Sequence, residues 1–280
     1  MEVVDFFAKY CYSPWVSETY YNDNEPYVCS WLENLIGAGQ ISGGRVDRRP
    51  IQDVQPSDLA DYKRAHFFAG IAGWDLALQL AGWPTDREVW TGSCPCQPFS
   101  VAGKRKGTSD ERHLWPEWFR LIKECKPATI FGEQVASKAG REWLAGVFAD
   151  LEGVGYAVAG ADLCAAGFGA AHIRQRLYWV AYTDTARCLH TSKGPEGTQR
   201  NWSGALNLAS RTSYGPRSGE PTWFKDGSCR RTEPGVALLV NAVPGRMEPC
   251  AAIGNSIVPQ VAAVFIQAVM DVLPLAKKSA

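Results

Sequence analysis

Apolar and polar positions alternate along the chain in two textures. Residues 1 to about 182 interleave short apolar runs with helical patterns, the signature of βα units and a parallel sheet. The spacing of Trp115, Trp118, Phe119 and Ile122 predicts a helix with one buried face, and Trp143, Leu144, Val147, Phe148 and Leu151 predict another. Between them, Ala128-Thr129-Ile130-Phe131 reads as a buried strand ending at Gly132-Glu133. Tyr156 to Leu163 and Leu177 to Ala181 are further strands, and His66-Phe67-Phe68 is an apolar strand running into a glycine turn and a helix. From Tyr182 to Val243, Ser, Thr, Gly, Pro and Arg dominate and periodicity nearly vanishes until Gly235 to Val240. Trp202, Trp223 and Phe224 can anchor that stretch, which reads as a small irregular module rather than a linker. Val261, Val264, Phe265, Ala268, Val269, Val272 and Leu273 then form one face of a C-terminal helix. Three regions follow: 1–181, 182–243, and 244–280, the last returning to the main core.

Composition narrows the class. With 46% hydrophobic and 21% charged residues, the chain has an ordinary globular balance. Lys+Arg and Asp+Glu both number 29, so a nucleic-acid partner has to be held by local basic clusters. No apolar run approaches the ~20 residues of a membrane span. The acidic start Met1-Glu2-Val3-Val4-Asp5 is unlike a secretory signal, and the nine cysteines suit a reducing compartment. A cytoplasmic, monomeric protein without membrane attachment is expected. Cys94 and Cys96 lack a second pair at zinc-ligand spacing, and no metal is expected.

The sharpest chemical signal is Gly92-Ser93-Cys94-Pro95-Cys96-Gln97-Pro98-Phe99-Ser100, directly after the apolar Val89-Trp90. It presents a cysteine at the carboxyl end of a strand, where open α/β sheets build their sites, between prolines that stiffen the turn. The second signal is His66-Phe67-Phe68-Ala69-Gly70-Ile71-Ala72-Gly73-Trp74, whose glycines let backbone approach a ligand at a helix N-terminus.

Together these segments resemble the DNA cytosine-5 methyltransferase family. Gly132-Glu133-Gln134-Val135 resembles its Glu-Asn-Val motif, and His172-Ile173-Arg174-Gln175-Arg176 its Gln-x-Arg-x-Arg motif. Gly254-Asn255-Ser256 resembles its C-terminal Gly-Asn-Ser/Ala motif. The resemblance implies an α/β, Rossmann-like methyltransferase fold with a mostly parallel sheet, S-adenosylmethionine as cofactor, and double-stranded DNA as partner. The texture is that of compact bacteriophage-encoded members, in a bacterial or phage-infected cell. Three departures stand out: Ala72 for a glycine, which is expected only to tighten the loop, Gln134 for Asn, and His172 for Gln.

Spacing is the fourth departure. Gly73 and Pro95 are too close to hold the two βα units that carry the family's ribose-side and adenine-side acids. Those units resemble segments upstream: Tyr20 to Tyr27 with Asp23 and Asn24, a helix through Val28, Trp31, Leu32 and Leu35, and Pro50-Ile51-Gln52-Asp53-Val54. The inferred strand order is a circular permutation, with Asp23 and Asp53 placed on the cofactor.

By resemblance, the Cys96 thiolate attacks cytosine C6, Glu133 faces N3, and Arg174 and Arg176 hold O2 and orient Glu133. Phe68, Ala69, Gly70, Ile71, Gly73, Pro95, Asn255 and Ser256 complete the cofactor site, although Asn255 and Ser256 equally suit a helix cap. The target base has to be flipped out of the duplex. Ser100, Lys104, Arg105 and Lys106 form a basic loop beside Cys96, and Arg211, Arg217, Arg230 and Arg231 supply further phosphate or guanine contacts. Two other readings share the fold: a transfer-RNA cytosine-5 methyltransferase, and a catalytically weak DNA-binding homologue.

Overall fold

A computed structural model describes residues 19–95, 114–170, 172–183, 220–223, 229–232 and 255–272. Seven strands form one sheet in the order β2-β1-β3-β4-β5-β7-β6. They are β1 (Thr19–Asn22), β2 (Gly44–Asp47), β3 (Arg64–Phe67), β4 (Val89–Gly92), β5 (Thr129–Val135), β6 (Tyr156–Cys164) and β7 (Gln175–Thr183). The first five run parallel; β7 is antiparallel to both β5 and β6. The strand order is thus non-sequential, with the chain starting inside the sheet, stepping out to β2 and returning past β1 to β3. That reversal leaves a crevice at the carboxyl ends of β1 and β3, where open α/β sheets bind ligands.

Period-2 alternation sorts the strands' side chains onto two faces. Tyr20, Phe67, Trp90, Ile130 and Trp179 pack against α3 (Trp115–Cys125) and α4 (Lys138–Gly153). Val89, Phe131, Tyr178 and Val180 pack against α2 (Gly73–Ala81) and α5 (Pro259–Val272). Helix α1 (Pro26–Gly37) covers the β1–β2 end through Val28 and Leu32, with Tyr21 and Ala69 beneath it. Glu25 caps α1, its carboxylate accepting from the Val28 amide at 2.7 Å. The helices and strands predicted within the described residues are present, while Leu273 and the Gly235 to Val240 run lie outside those residues. Trp31, expected on the buried face of α1, is instead 38% exposed and leans on Tyr27 with ring centroids 6.1 Å apart.

A buried polar pair ties α2 to the sheet. His66 on β3 bonds Thr91 Oγ1 through Nδ1 at 2.7 Å, and its Nε2 lies 3.6 Å from Asp75 Oδ1. Burial alone would raise the Asp75 carboxyl, but His66 and the Ser42 amide outweigh it and hold the group well below the usual carboxylate range. Asp75 therefore stays ionised and pins the first turn of α2, directly after the glycine turn.

Two glycines fix how the sheet meets α3. Gly92, at the carboxyl end of β4, and Gly132, in the middle of β5, are register partners. A methyl on Gly92 would lie 2.5 Å from Trp118 Cη2, and one on Gly132 would fall inside the Trp179 ring. Both rings are fully buried and 5.9 Å apart, so neither has room to yield. Gly132→Ala is expected to destabilise the protein by about 3 kcal/mol, the scale of an overpacked core. Urea denaturation checks this, and an unchanged midpoint would contradict the packing described.

In the segment read as irregular, β8 (Glu220–Trp223) pairs antiparallel with β9 (Cys229–Thr232), so it does contain regular structure. β7 also continues to Thr183, past the expected boundary at 181. Among the described residues no helix is long and apolar enough to cross a membrane, and no group of three or more His, Cys, Asp and Glu residues is placed to hold a metal.

Candidate active site

Two adjoining cavities open at the carboxyl ends of the central strands. The first, of about 360 Å³, is lined by the glycine turn (Phe68, Ala69, Gly70, Gly73), the cysteine segment (Ser93 to Pro95) and Glu133 to Val135. Asp23, Glu25, Trp74, Arg174, Arg176, Asn255 and Ser256 also line it, with Val28 and Ile257. The second, of about 380 Å³, is lined by Asn22, Asp23, Asn24, Arg49, Pro50, Ile51, Gln52, Phe68 and Leu114. Asp23 and Phe68 line both, so the two spaces lie side by side.

The glycine turn is backbone-strained. Phe68, Gly70 and Ala72 all have positive φ (51°, 53° and 61°), a region that L side chains avoid and glycine does not. Ala72 precedes the first residue of α2 in a left-handed conformation, so the methyl does more than tighten the loop: it holds an alanine where glycine is unstrained. The turn is fastened by Asp23, whose Oδ2 accepts from the Gly70 amide at 3.0 Å while Oδ1 accepts from Glu25 at 3.1 Å. Burial pushes the Asp23 carboxyl up, and those backbone donors oppose the shift.

Glu133 sits near the carboxyl end of β5 and is 7% exposed. Across the antiparallel pairing it faces Tyr178, while Arg176 lies opposite Val135, which makes Glu133 and Arg176 diagonal neighbours on one face. Arg176 Nε donates to Glu133 Oε1 at 2.8 Å. Burial raises the Glu133 carboxyl above the usual carboxylate range even though Arg176, Arg174 and a hydrogen bond from Ser93 pull it down. A carboxyl so placed exchanges a proton closer to neutrality than an exposed one. Arg174 donates through Nη2 to the Ser256 carbonyl at 2.7 Å, joining the loop before β7 to the segment before α5. Helix α5 begins at Pro259, so Asn255 and Ser256 are wall residues of the cavity rather than its cap.

Of the expected site residues, Phe68, Ala69, Gly70, Gly73, Asp23, Asn24, Pro95, Glu133, Arg174, Arg176, Asn255 and Ser256 come together around the two cavities. Ile71 lines neither. Asp53 is exposed in the short turn Ile51–Asp53 and also lines neither, its neighbour Gln52 occupying the wall instead. Cys96, Ser100, Lys104, Arg105, Lys106, Arg211 and Arg217 lie outside the described residues, with Cys96 following the cavity-lining Pro95 in sequence. Arg230 and Arg231 are on β9, opposite Thr222 and Pro221. The sequence reading missed Ser93, Trp74 and Glu25, which line the first cavity, and Arg49, which lines the second and pairs with Asp47 and Asp58.

A seven-stranded, largely parallel sheet with a glycine turn, a buried acid and paired arginines around one crevice defines an α/β, Rossmann-like fold. Residues 83–203 match the model of C-5 cytosine-specific DNA methylases. The type II methyltransferase M.NgoMIV of Neisseria gonorrhoeae is 38% identical over 100 residues, covering 34% of this chain and 31% of the relative. M.NlaX of Neisseria lactamica is 34% identical over 134 residues, covering 46% of this chain and 42% of the relative. The chain is similar in part to C5-cytosine DNA methyltransferases, and its matches span less than half the length of each of these two relatives. In fold it is similar to the Entamoeba histolytica methyltransferase EhMeth, with a TM-score of 0.50 at 13% identity over 91% of this chain and 90% of that one.

Proposed function

We propose that the protein is an S-adenosylmethionine-dependent DNA cytosine-5 methyltransferase. The observation that carries this reading is the convergence of Glu133, its partner Arg176 and the segment leading to Cys96 on the same cavity as the glycine turn. The paired cavities fit a cofactor with a nucleoside and an amino-acid tail, offering Phe68 as an apolar wall, Asp23 at the junction, and polar groups at Asn255 and Ser256. S-adenosylmethionine, when bound, supplies an electrophilic methyl group.

The chain's residues do the rest. The Cys96 thiolate forms a bond to cytosine C6, pushing an electron pair to C5. Glu133 protonates or hydrogen-bonds N3 as charge develops on the ring, a task suited to its raised carboxyl. Arg176 holds Glu133 and, with Arg174, offers donors to O2. With the cofactor bound, C5 would take the methyl group as its bond to the sulfonium sulfur breaks and leaves a neutral thioether. C5 would then lose its proton to a base, and the C6–sulfur bond would break to release the thiol. The cytosine reaches this cavity only when flipped from the duplex. Glu133 supports the cytosine reading over a catalytically weak homologue because it retains both its burial and its arginine.

The permuted motif order is part of the proposal: β1 and β2 supply the ribose-side and adenine-side segments that the family carries after its glycine-loop strand. It is also the trait shared with compact phage-encoded members. The reading extends to a monomer in the cytoplasm of a bacterial or phage-infected cell, with Ser100, Lys104, Arg105 and Lys106 on DNA phosphates and Arg230 and Arg231 near the target base.

Asp23→Ala is expected to weaken S-adenosylmethionine binding by about 1–3 kcal/mol, the loss of a charged hydrogen bond. Calorimetric titration measures it, and unchanged affinity would remove Asp23 from the cofactor site. The proposed activity itself is tested by bisulfite sequencing of DNA from cells expressing the protein. Protected cytosines in a recurring short context support it; complete conversion of DNA alongside methylated transfer RNA would favour the RNA reading.

A further inference from the structure

We infer that His66 and Asp75 are positioning residues that clamp the strained glycine turn in the shape that receives its ligand. The inference takes that ligand, S-adenosylmethionine, from the proposed function, but the geometry stands without it. The turn runs from Phe68 to Gly73, and Phe68 and Ala72 hold positive φ within it although neither is glycine. Such residues persist only where the surrounding structure over-determines them. His66 lies two residues before the turn, on β3, and Asp75 two residues after it, on α2. Their side chains are both wholly buried and face each other, Nε2 to Oδ1, at 3.6 Å.

That separation is an ion-pair distance rather than a hydrogen bond, and neither facing atom has a hydrogen-bond partner. The remaining polar atoms of the pair are committed elsewhere. Asp75 Oδ2 accepts from the Ser42 amide at 2.9 Å and from Gln79 Nε2 at 2.6 Å, while His66 Nδ1 meets Thr91 Oγ1. Removing either partner would leave a buried polar atom facing nothing, so each holds the other in place. The contacts close into a ring through β1. The Tyr21 hydroxyl donates to the Ser42 carbonyl at 2.9 Å, and its ring stacks on His66 with centroids 5.1 Å apart. Next along β1, the Asn22 carbonyl accepts from the Ala69 amide at 3.0 Å, and Asp23 takes the Gly70 amide. The turn is thus held at both ends by His66 and Asp75 and in its middle by the strand that carries Tyr21.

Asp75→Asn keeps the shape of the side chain and removes its charge. By calorimetry it is expected to raise the Kd for S-adenosylmethionine about tenfold, the scale of one strained residue released. His66→Gln should raise it by less, since its amide can still donate to Asp75. A second substitution shows whether the clamp acts through the turn. At the φ of 61° held by residue 72 glycine is unstrained, so Ala72→Gly removes what the clamp opposes. In that background Asp75→Asn should raise Kd no more than about twofold, because the two sites are coupled. Amide hydrogen exchange reads the turn without any ligand. The Gly70 and Ala72 amides, bonded to Asp23 and to the Ala69 carbonyl, should exchange faster in Asp75→Asn while the β5 amides keep their rates. Unmoved exchange at the turn, or acceleration spread equally over β5, overturns the clamp. An equal rise in Kd in both backgrounds overturns its action through Ala72. Faster exchange confined to the turn of a protein that binds no S-adenosylmethionine upholds the clamp and defeats the methyltransferase reading instead.

Discussion

Cys96→Ser is expected to lower methyl transfer by about 10³-fold or more while leaving thermal unfolding where it was. Cytosine C5 is a poor nucleophile until a thiolate adds to C6, and a serine hydroxyl at neutral pH is ionised far too little to replace it. The residual rate would reflect only cofactor and base held close together. Single-turnover transfer to DNA measures the loss. Retention of more than a tenth of the rate would mean that C5 is activated without the thiol.

Glu133→Gln is expected to cost about 10²–10⁴-fold in kcat, the range for a positioned acid or base. The amide oxygen can still accept from Arg176, so the strand pairing and the cavity wall should survive. What is lost is the exchangeable proton. Because burial raises the wild-type carboxyl, the fraction of protonated acid falls as pH rises through that elevated value. Wild-type kcat should therefore show a declining limb at a pH above the ordinary carboxylate range, and the glutamine variant should lack it. Affinity for S-adenosylmethionine should be nearly kept. A large loss of cofactor binding would mark Glu133 as a structural residue.

Much of this was legible in the sequence because the signals are local. The helices over Trp115 and Trp143 show their faces through 3.6-residue spacing, and α3 and α4 lie there. The missing βα units pointed to Asp23, which lines both cavities. Other features depend on partners far away in the chain. β5 was expected to stop at Gly132-Glu133, yet it runs to Val135 because β7 pairs along its whole length. Glu133 finds Arg176 across that pairing, and Gln134 Nε2 reaches the Cys94 carbonyl at 3.4 Å, so both polar residues are tolerated in a buried strand.

Gln52 and Asp53 show the limit of motif matching. The segment lies where the resemblance implied, but the short helical turn exposes Asp53 and puts Gln52 on the cavity wall. A one-residue rotation of that turn is invisible without coordinates. Ala72 is similar: its identity is plain, but the positive φ that makes it costly appears only when the turn is built. Ser93 stood inside the most informative motif and was passed over, since its bond from Trp74 comes from an element distant in sequence.

The central claim is that this cavity carries covalent chemistry on cytosine, and trapping tests it most directly. Wild-type protein is incubated with S-adenosylmethionine and duplex DNA containing 5-fluorocytosine at its methylation sites. After methyl transfer the C5 fluorine cannot leave as a proton does, so the C6–sulfur bond is not released. A denaturation-resistant protein–DNA adduct, mapped by mass spectrometry to the peptide containing Cys96 and absent in Cys96→Ser, is the predicted result. No adduct under conditions where unmodified DNA is methylated, or an equal yield from Cys96→Ser, would contradict the account.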